Sequence, residues 1–92
     1  MPLERCSAKI TGRVQGVGFR AFTQKTALQY QLSGWVKNEH DGSVTLEAQG
    51  PSESLSAFKV AIEKGPVFSK VKQAHFECEV CLDDELDFRI LR

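Results

Sequence analysis

Gly12-Arg13-Val14-Gln15-Gly16-Val17-Gly18-Phe19-Arg20 is the stretch around which the rest of this chain falls into place. It lies between a strand-like alternation, Cys6 to Thr11, and a helix-like run, Ala21 to Gln31. In the strand, Cys6, Ala8 and Ile10 alternate with Ser7, Lys9 and Thr11, which makes one buried and one wetter face. Glycines at 12, 16 and 18 admit backbone conformations that a Cβ disfavours. A glycine-rich turn that opens a helix aims several N–H groups one way, with the positive end of the helix dipole behind them. Such a turn binds anions, phosphate above all. Arg20, at the first helical turn, can close a fork of donors over the same anion. The spacing fits equally well a tight turn shaped by glycines, with Arg20 a solvated charge, and spacing alone leaves both readings open. Gly16-Val17-Gly18-Phe19-Arg20-Ala21 also fits the loose dinucleotide pattern G-x-G-x-x-A, but 92 residues cannot supply the doubly wound sheet it needs. No Gly-Lys-Ser/Thr follows, which rules out a nucleotide P-loop.

The literal run Gly12 to Arg20, followed by Gly34-Trp35-Val36-Lys37-Asn38, closely resembles the acylphosphatase signature. The resemblance extends to Asp41-Gly42-Ser43-Val44, Gly65-Pro66 and Asp87-Phe88-Arg89-Ile90, and so runs from about residue 7 to the end. Tyr30-Gln31 stands where a Leu-Gly pair is common in that family, and Phe76 to Asp84 follows no family pattern. The resemblance implies an enzyme that hydrolyses the carboxyl–phosphate bond of small acyl phosphates by in-line attack of water, without a metal. It implies that the backbone of Gln15, Gly16, Val17, Gly18, Phe19 and Arg20, with the Arg20 guanidinium, holds the phosphoryl group. Asn38 would hydrogen-bond the attacking water. No cofactor is implied. Inorganic phosphate would be product and inhibitor, and the protein a monomer.

Composition sets the bounds. A chain of 92 residues is expected to be one domain, 1–92, burying only roughly 60–65% of its unfolded surface. Lys plus Arg and Asp plus Glu both number 12, so the net charge is zero. That argues against nucleic acid or an anionic membrane as partner, because both depend on a basic excess. No apolar run approaches the ~18 residues of a membrane span, and the N-terminus lacks a signal-peptide core, so a cytoplasmic location is expected. Three cysteines are an odd count without framework spacing. Cys78-Glu79-Val80-Cys81 looks like half a zinc knuckle, but only Cys6, His40 and His75 could complete it, at unsuitable spacing. Ordinary thiols are the better reading.

The coarse order is β-α-β-β-α-β. The first helix carries Phe19, Thr23, Ala27 and Tyr30 on one side, with Phe22 and Thr26 flanking. Strands Gly34 to Glu39 and Ser43 to Gln49 form a hairpin, and parity sets its loop. A two-residue Asp41-Gly42 loop would put Lys37 and Glu39 on the face of Val44, Leu46 and Ala48. A three-residue loop, His40-Asp41-Gly42, instead pairs Val36 with Leu46 and Asn38 with Val44, as a type I turn plus bulge. Asn38 then becomes a polar residue on the core-facing side, where a buried amide needs partners. The second helix is expected over Ser52 to Lys64, with Pro51 at its first turn, Gly65-Pro66 as its stop, and Leu55, Phe58, Ala61 and Ile62 as its buried stripe. Strand four covers Lys70 to Val80, and a short last strand carries Phe88 and Ile90. This is an α+β, ferredoxin-like split β-α-β sandwich: an antiparallel sheet with two helices on one face. The resemblance adds a short C-terminal edge strand.

Near the glycine turn the chain offers one Arg, one Asn and backbone amides, with no Ser/His or Cys/His arrangement and no triad around His40 or His75. Acyl phosphates need no more. Their leaving group is a carboxylate whose acid has a pKa of roughly 4, so it departs without a general acid. Phosphoryl transfer is mostly positioning and charge stabilisation. Arg13 and the Gln15 side chain fit better as solvated charge and turn former. Lys37 and Trp35 point away from the helices, Trp35 partly buried under a loop. Three alternatives compete: a non-enzymatic anion-binding module, an RNA-binding sheet, and a stand-alone relative of the acylphosphatase-like domain of larger carbamoyl-transfer proteins. The open face of the first strand has no aromatic residue for stacking RNA bases. The absence of a further domain argues against the third.

Overall fold

The computed structural model describes residues 3–91. Strand β1 (Leu3–Arg13) leads through the glycine loop into helix α1 (Phe19–Gln29), followed by β2 (Ser33–Asn38), β3 (Val44–Pro51), α2 (Ser52–Lys64), β4 (Lys70–Glu79) and β5 (Phe88–Leu91). The sheet order is β4-β1-β3-β2-β5. Cys6, Ala8, Ile10, Val36, Val44, Leu46 and Ala48 form its buried face. Phe19 and Ala27 of α1 and Leu55, Phe58 and Ile62 of α2 pack onto that face. Each large side chain so buried contributes about 1.5–3 kcal/mol. The α+β sandwich expected from the pattern is the architecture found.

The hairpin has the register that parity dictates, with Val36 opposite Leu46 and Asn38 opposite Val44. Glu39 N–H donates to Ser43 O at 2.8 Å, and Gly42, at φ 92°, donates back to Glu39 O at 3.2 Å. Asp41 Oδ1 accepts from the Ser43 amide at 2.9 Å and the Ser43 hydroxyl at 2.6 Å. Those hydrogen bonds, with Lys9 beside them, hold the Asp41 carboxyl well below the usual carboxylate range.

Helix α1 begins at Phe19 and stops at Gln29, two residues earlier at each end than periodicity suggests. Gln31 N–H donates to Leu28 O at 3.1 Å and Leu32 N–H to Ala27 O at 2.8 Å, the double closure of a left-handed helix cap. Gln31 occupies that cap at φ 59°, a conformation glycine adopts without strain.

The sheet is antiparallel through β4, β1, β3 and β2, and becomes mixed at β5, which runs parallel to β2. The reason lies in residues 80–87. Strand β4 ends beside Arg5, at the lower end of the sheet, where β2 begins. The chain crosses the open face there and enters β5 from the same end, Asp87 O accepting from Gly34 N–H at 2.9 Å. Arg5 and Gln49 anchor the crossing. The Gln49 side-chain amide pairs with Leu82 N and O, both at 2.8 Å. The Arg5 side chain, 1% exposed, donates to Glu47 at 2.8 Å and Glu85 at 2.6 Å. Burial opposes the Arg5 charge, but the bonds from Glu85 and Glu47 outweigh it and raise its pKa above the ordinary value. Trp35 lies half-buried against the crossing segment, as its parity implies.

Candidate active site

At the upper end of the sheet, β1 runs into residues 14–18, which carry no regular structure, and then into α1. Val14 and Phe19 are buried, each 1% exposed, and pin the two ends of the loop to the core. Between them the backbone is lifted by Gly16 and Gly18, at φ 75° and 77°. A side chain at either position would be strained even though a Cβ would meet no atom within 4 Å. The space over both glycines is open. Among the described residues, no amide of Gln15 to Gly18 donates a main-chain hydrogen bond outside the helices and strands. Loop and helix N-terminus thus leave backbone donors without main-chain partners.

Bordering the loop is a cleft of about 230 Å³ lined by Val14, Gly16, Gly18, Phe19, Arg20, Ala21, Asn38 and Ile90. It unites Gly16, Gly18, Phe19, Arg20 and Asn38, which sequence reasoning singled out. Gln15 and Val17 do not line it. The Val17 side chain packs on the core. The Gln15 side chain turns to the hairpin, its Nε2 donating to Glu39 O at 2.7 Å and Ser43 O at 2.9 Å. Two carbonyls held by one amide lock the loop to the turn between β2 and β3, so the Gln15 side chain does more than form a turn. Larger hollows of about 640 and 690 Å³ adjoin the crossing segment, but neither touches the glycine loop.

Arg20 is half-buried and, among the described residues, its side chain makes one hydrogen bond, from Nη1 to Leu91 O at 3.2 Å. No carboxylate pairs with it among the described residues. Its remaining donors are available to an anion. Strand β5 sets its direction, and Gln24 Nε2, donating to Phe88 O at 3.0 Å, ties α1 to the same strand. Asn38 ends β2 on the core-facing side of the sheet. Its Oδ1 is buried and has no hydrogen-bond partner among the described residues. A buried acceptor left unpaired costs about 1–3 kcal/mol, and this one borders the cleft, where a water molecule can satisfy it. Lys37 is held at the open face, its Nζ 4.0 Å from Glu39. Arg13 is exposed.

Sequence reasoning missed the Leu91 carbonyl that orients Arg20 and the part of Ile90 and Ala21 in the cleft wall. Nothing local signals either role, because β5 meets α1 only after the chain has crossed the sheet. A glycine-lifted loop, an arginine with no carboxylate partner among the described residues and an unpaired amide oxygen beside one small cleft have the chemistry to hold an anion and a water molecule.

Comparison with known proteins agrees. Residues 6–90 match the family model described as Acylphosphatase. The chain is 47% identical over 89 residues to the acylphosphatase of Geobacillus thermodenitrificans, covering 97% of this chain and 95% of that one. Its structure superposes on the crystal structure of the Bacillus subtilis acylphosphatase with a TM-score of 0.93 at 40% identity, covering 99% of this chain and 100% of the other. It also matches part of full-length HypF, with a TM-score of 0.89 at 29% identity, covering 99% of this chain but 12% of that protein.

Proposed function

The chain belongs to the acylphosphatase family and is an enzyme of that kind, and from this premise we propose how its cleft carries out the hydrolysis and which residues do so. The free amides of the Gln15 to Arg20 segment and the Arg20 guanidinium bind the phosphoryl oxygens of an acyl phosphate. Asn38 Oδ1 accepts a hydrogen bond from the attacking water and holds it in line with the bond to the carboxylate. The carboxylate leaves unprotonated, so no general acid is needed, and the water's proton passes to a phosphoryl oxygen. Arg20 and the amides meet the charge on the transferring group, which leaves no step that requires a metal. Inorganic phosphate, as product, occupies the same cradle and inhibits.

The observation that carries this reading is the unpaired Asn38 Oδ1 on the same cleft as Arg20. A structural amide would have used its oxygen to tie the hairpin to the loop. Gln15 performs that tie instead.

The whole chain, 1–92, acts as one domain and as a monomer in the cytoplasm, with neither nucleic acid nor membrane as partner. Zero net charge supports this, and no helix among the described residues is long and apolar enough to cross a membrane.

Asn38→Ala tests the mechanism. We expect kcat on a simple acyl phosphate to fall roughly a hundredfold or more, as when one preorganised transition-state contact is removed. The phosphate inhibition constant and denaturation midpoint should barely move, and EDTA should leave the parent rate unchanged. Loss of stability together with phosphate affinity would assign Asn38 a structural role, and loss of parent activity in EDTA would end the metal-free mechanism.

A further inference from the structure

The three cysteines meet at the lower end of the sheet, away from the cleft. Cys6, Cys78 and Cys81 line one hollow of about 190 Å³ together with Leu55 and Lys59 of α2. All are free thiols, Cys6 buried and the other two exposed. Cys6 and Cys78 stand directly opposite each other on β1 and β4.

The hairpin fixes what kind of pair they are. Glu39 N–H donates to Ser43 O. By alternation, Asn38–Val44, Val36–Leu46 and Gly34–Ala48 are then non-hydrogen-bonded pairs. The main-chain groups of Val44, Leu46 and Ala48 therefore turn to β1, where they face Ile10, Ala8 and Cys6. Cys6 uses its main-chain groups on β3, which makes Cys6–Cys78 a non-hydrogen-bonded pair. Such pairs bring Cα atoms to about 4.5 Å with side chains close together, inside the roughly 4.4–6.8 Å that a disulfide spans. Both side chains lie on the helix-facing side, in phase with Ala8 and Phe76. Cys81 is held apart from that axis, its Sγ donating to Leu3 O at 3.5 Å. Among the described residues no cysteine, histidine or carboxylate group is placed to hold a metal ion, so the arrangement favours thiol chemistry over chelation.

We propose that Cys6 and Cys78 are a dithiol modification site, which a small organic disulfide converts into a cross-strand bond pinning the edge strand β4 to β1. The exposed Cys78 reacts first. Its thiolate attacks one sulfur of the small disulfide, forms a mixed disulfide and expels one small thiolate. Cys6 then loses its proton and attacks the Cys78 sulfur, forming the protein disulfide and releasing the second thiolate. Two protein thiols are oxidised and one small disulfide is reduced to two thiols. Burial pushes the Cys6 thiol up, against the neighbouring Lys59 charge, which suits it to the second, intramolecular step.

The test uses the full chain and oxidised glutathione, followed by peptide mapping and thermal denaturation. The parent should lose two of its three thiols, with Cys6 linked to Cys78. Its Tm should rise by at least about 5 °C, since the bond closes a long loop. Cys81→Ser should form the same bond, and Cys78→Ser should show no rise. Thiols that stay unreacted, a bond from Cys78 to Cys81, lasting mixed disulfides, an intermolecular bond, or a Tm rise that survives Cys78→Ser would each overturn the proposal.

Discussion

The two ends of the sheet each hold a partly or fully buried arginine, and the two are used in opposite ways. Arg5, at the lower end, is sealed from solvent and bonded to Glu47, Glu85 and the Gln49 side chain. Arg20, at the upper end, is half-buried and, among the described residues, has one main-chain carbonyl as partner and no carboxylate. At the lower end the buried guanidinium is answered within the protein, which fastens a chain segment across the sheet. At the upper end, among the described residues, the arginine has no carboxylate, the loop amides make no main-chain bond outside helices and strands, and the Asn38 oxygen has no partner. Burying polar groups without partners is costly, and the two ends differ in how far the described residues meet that cost, a difference that fits the proposed ligand site at the upper end.

Arg20→Gln tests that contrast most severely. Losing two charge-assisted bonds at about 1.5–3 kcal/mol each lowers turnover roughly a hundred- to ten-thousandfold. Phosphate inhibition should weaken in parallel while the Tm stays close to the parent value. If phosphate inhibits the variant as strongly as the parent, Arg20 is not the anion ligand and the contrast fails.

Arg5→Met should behave in the reverse sense. It leaves Glu47 and Glu85 without their cation, and both carboxylates keep some solvent contact, at 29% and 18% exposure. The expected cost is therefore about 3 kcal/mol, the lower end for breaking a buried pair. Urea denaturation measures it. Acyl phosphate KM and kcat, taken where the variant is folded, should match the parent; a selective fall in kcat would show that the two ends are coupled.

Smaller changes sharpen the picture. Gln31→Gly should stabilise the protein by about 0.5–1 kcal/mol, because relief of the left-handed strain exceeds the added chain entropy. A Tm that drops would mean that the Gln31 side chain contributes more than its φ costs. The smallest effect belongs to Asp41. Its carboxyl is held below the ordinary range, so its stabilising contribution is present above about pH 4 and is lost as the pH falls through its folded value. The Tm gap between the parent and Asp41→Ala should be constant from pH 7 to pH 5 and close below about pH 4. A gap that persists unchanged at low pH would assign the hairpin's support to something other than the Asp41 charge.

Much of this molecule was legible residue by residue. The bounds of α2, the three-residue hairpin loop and the facing of Asn38 follow from periods of two and 3.6 and from where Pro51, Gly42 and Gly65 stand. These features depend on neighbours a few positions away, so the pattern of side chains carries them. The glycine loop and Arg20 were visible for the same reason; the departure at Tyr30-Gln31 was visible only against the family resemblance, and the left-handed φ of Gln31 came from the structure. What only the tertiary structure decided involves partners far apart in the chain. Arg5 reaches Glu85 across 80 positions, Arg20 leans on Leu91 across 71, and Gln24 bonds Phe88 across 64. None leaves a periodic trace. Each exists because residues 80–87 cross the open face and carry β5 to the far edge of the sheet, and that route depends on which strands are already paired. The Gln15 clamp and the meeting of Cys6 with Cys78 belong to the same class. Local physics wrote the elements and the glycine loop, and sheet order decided which buried polar groups found distant partners.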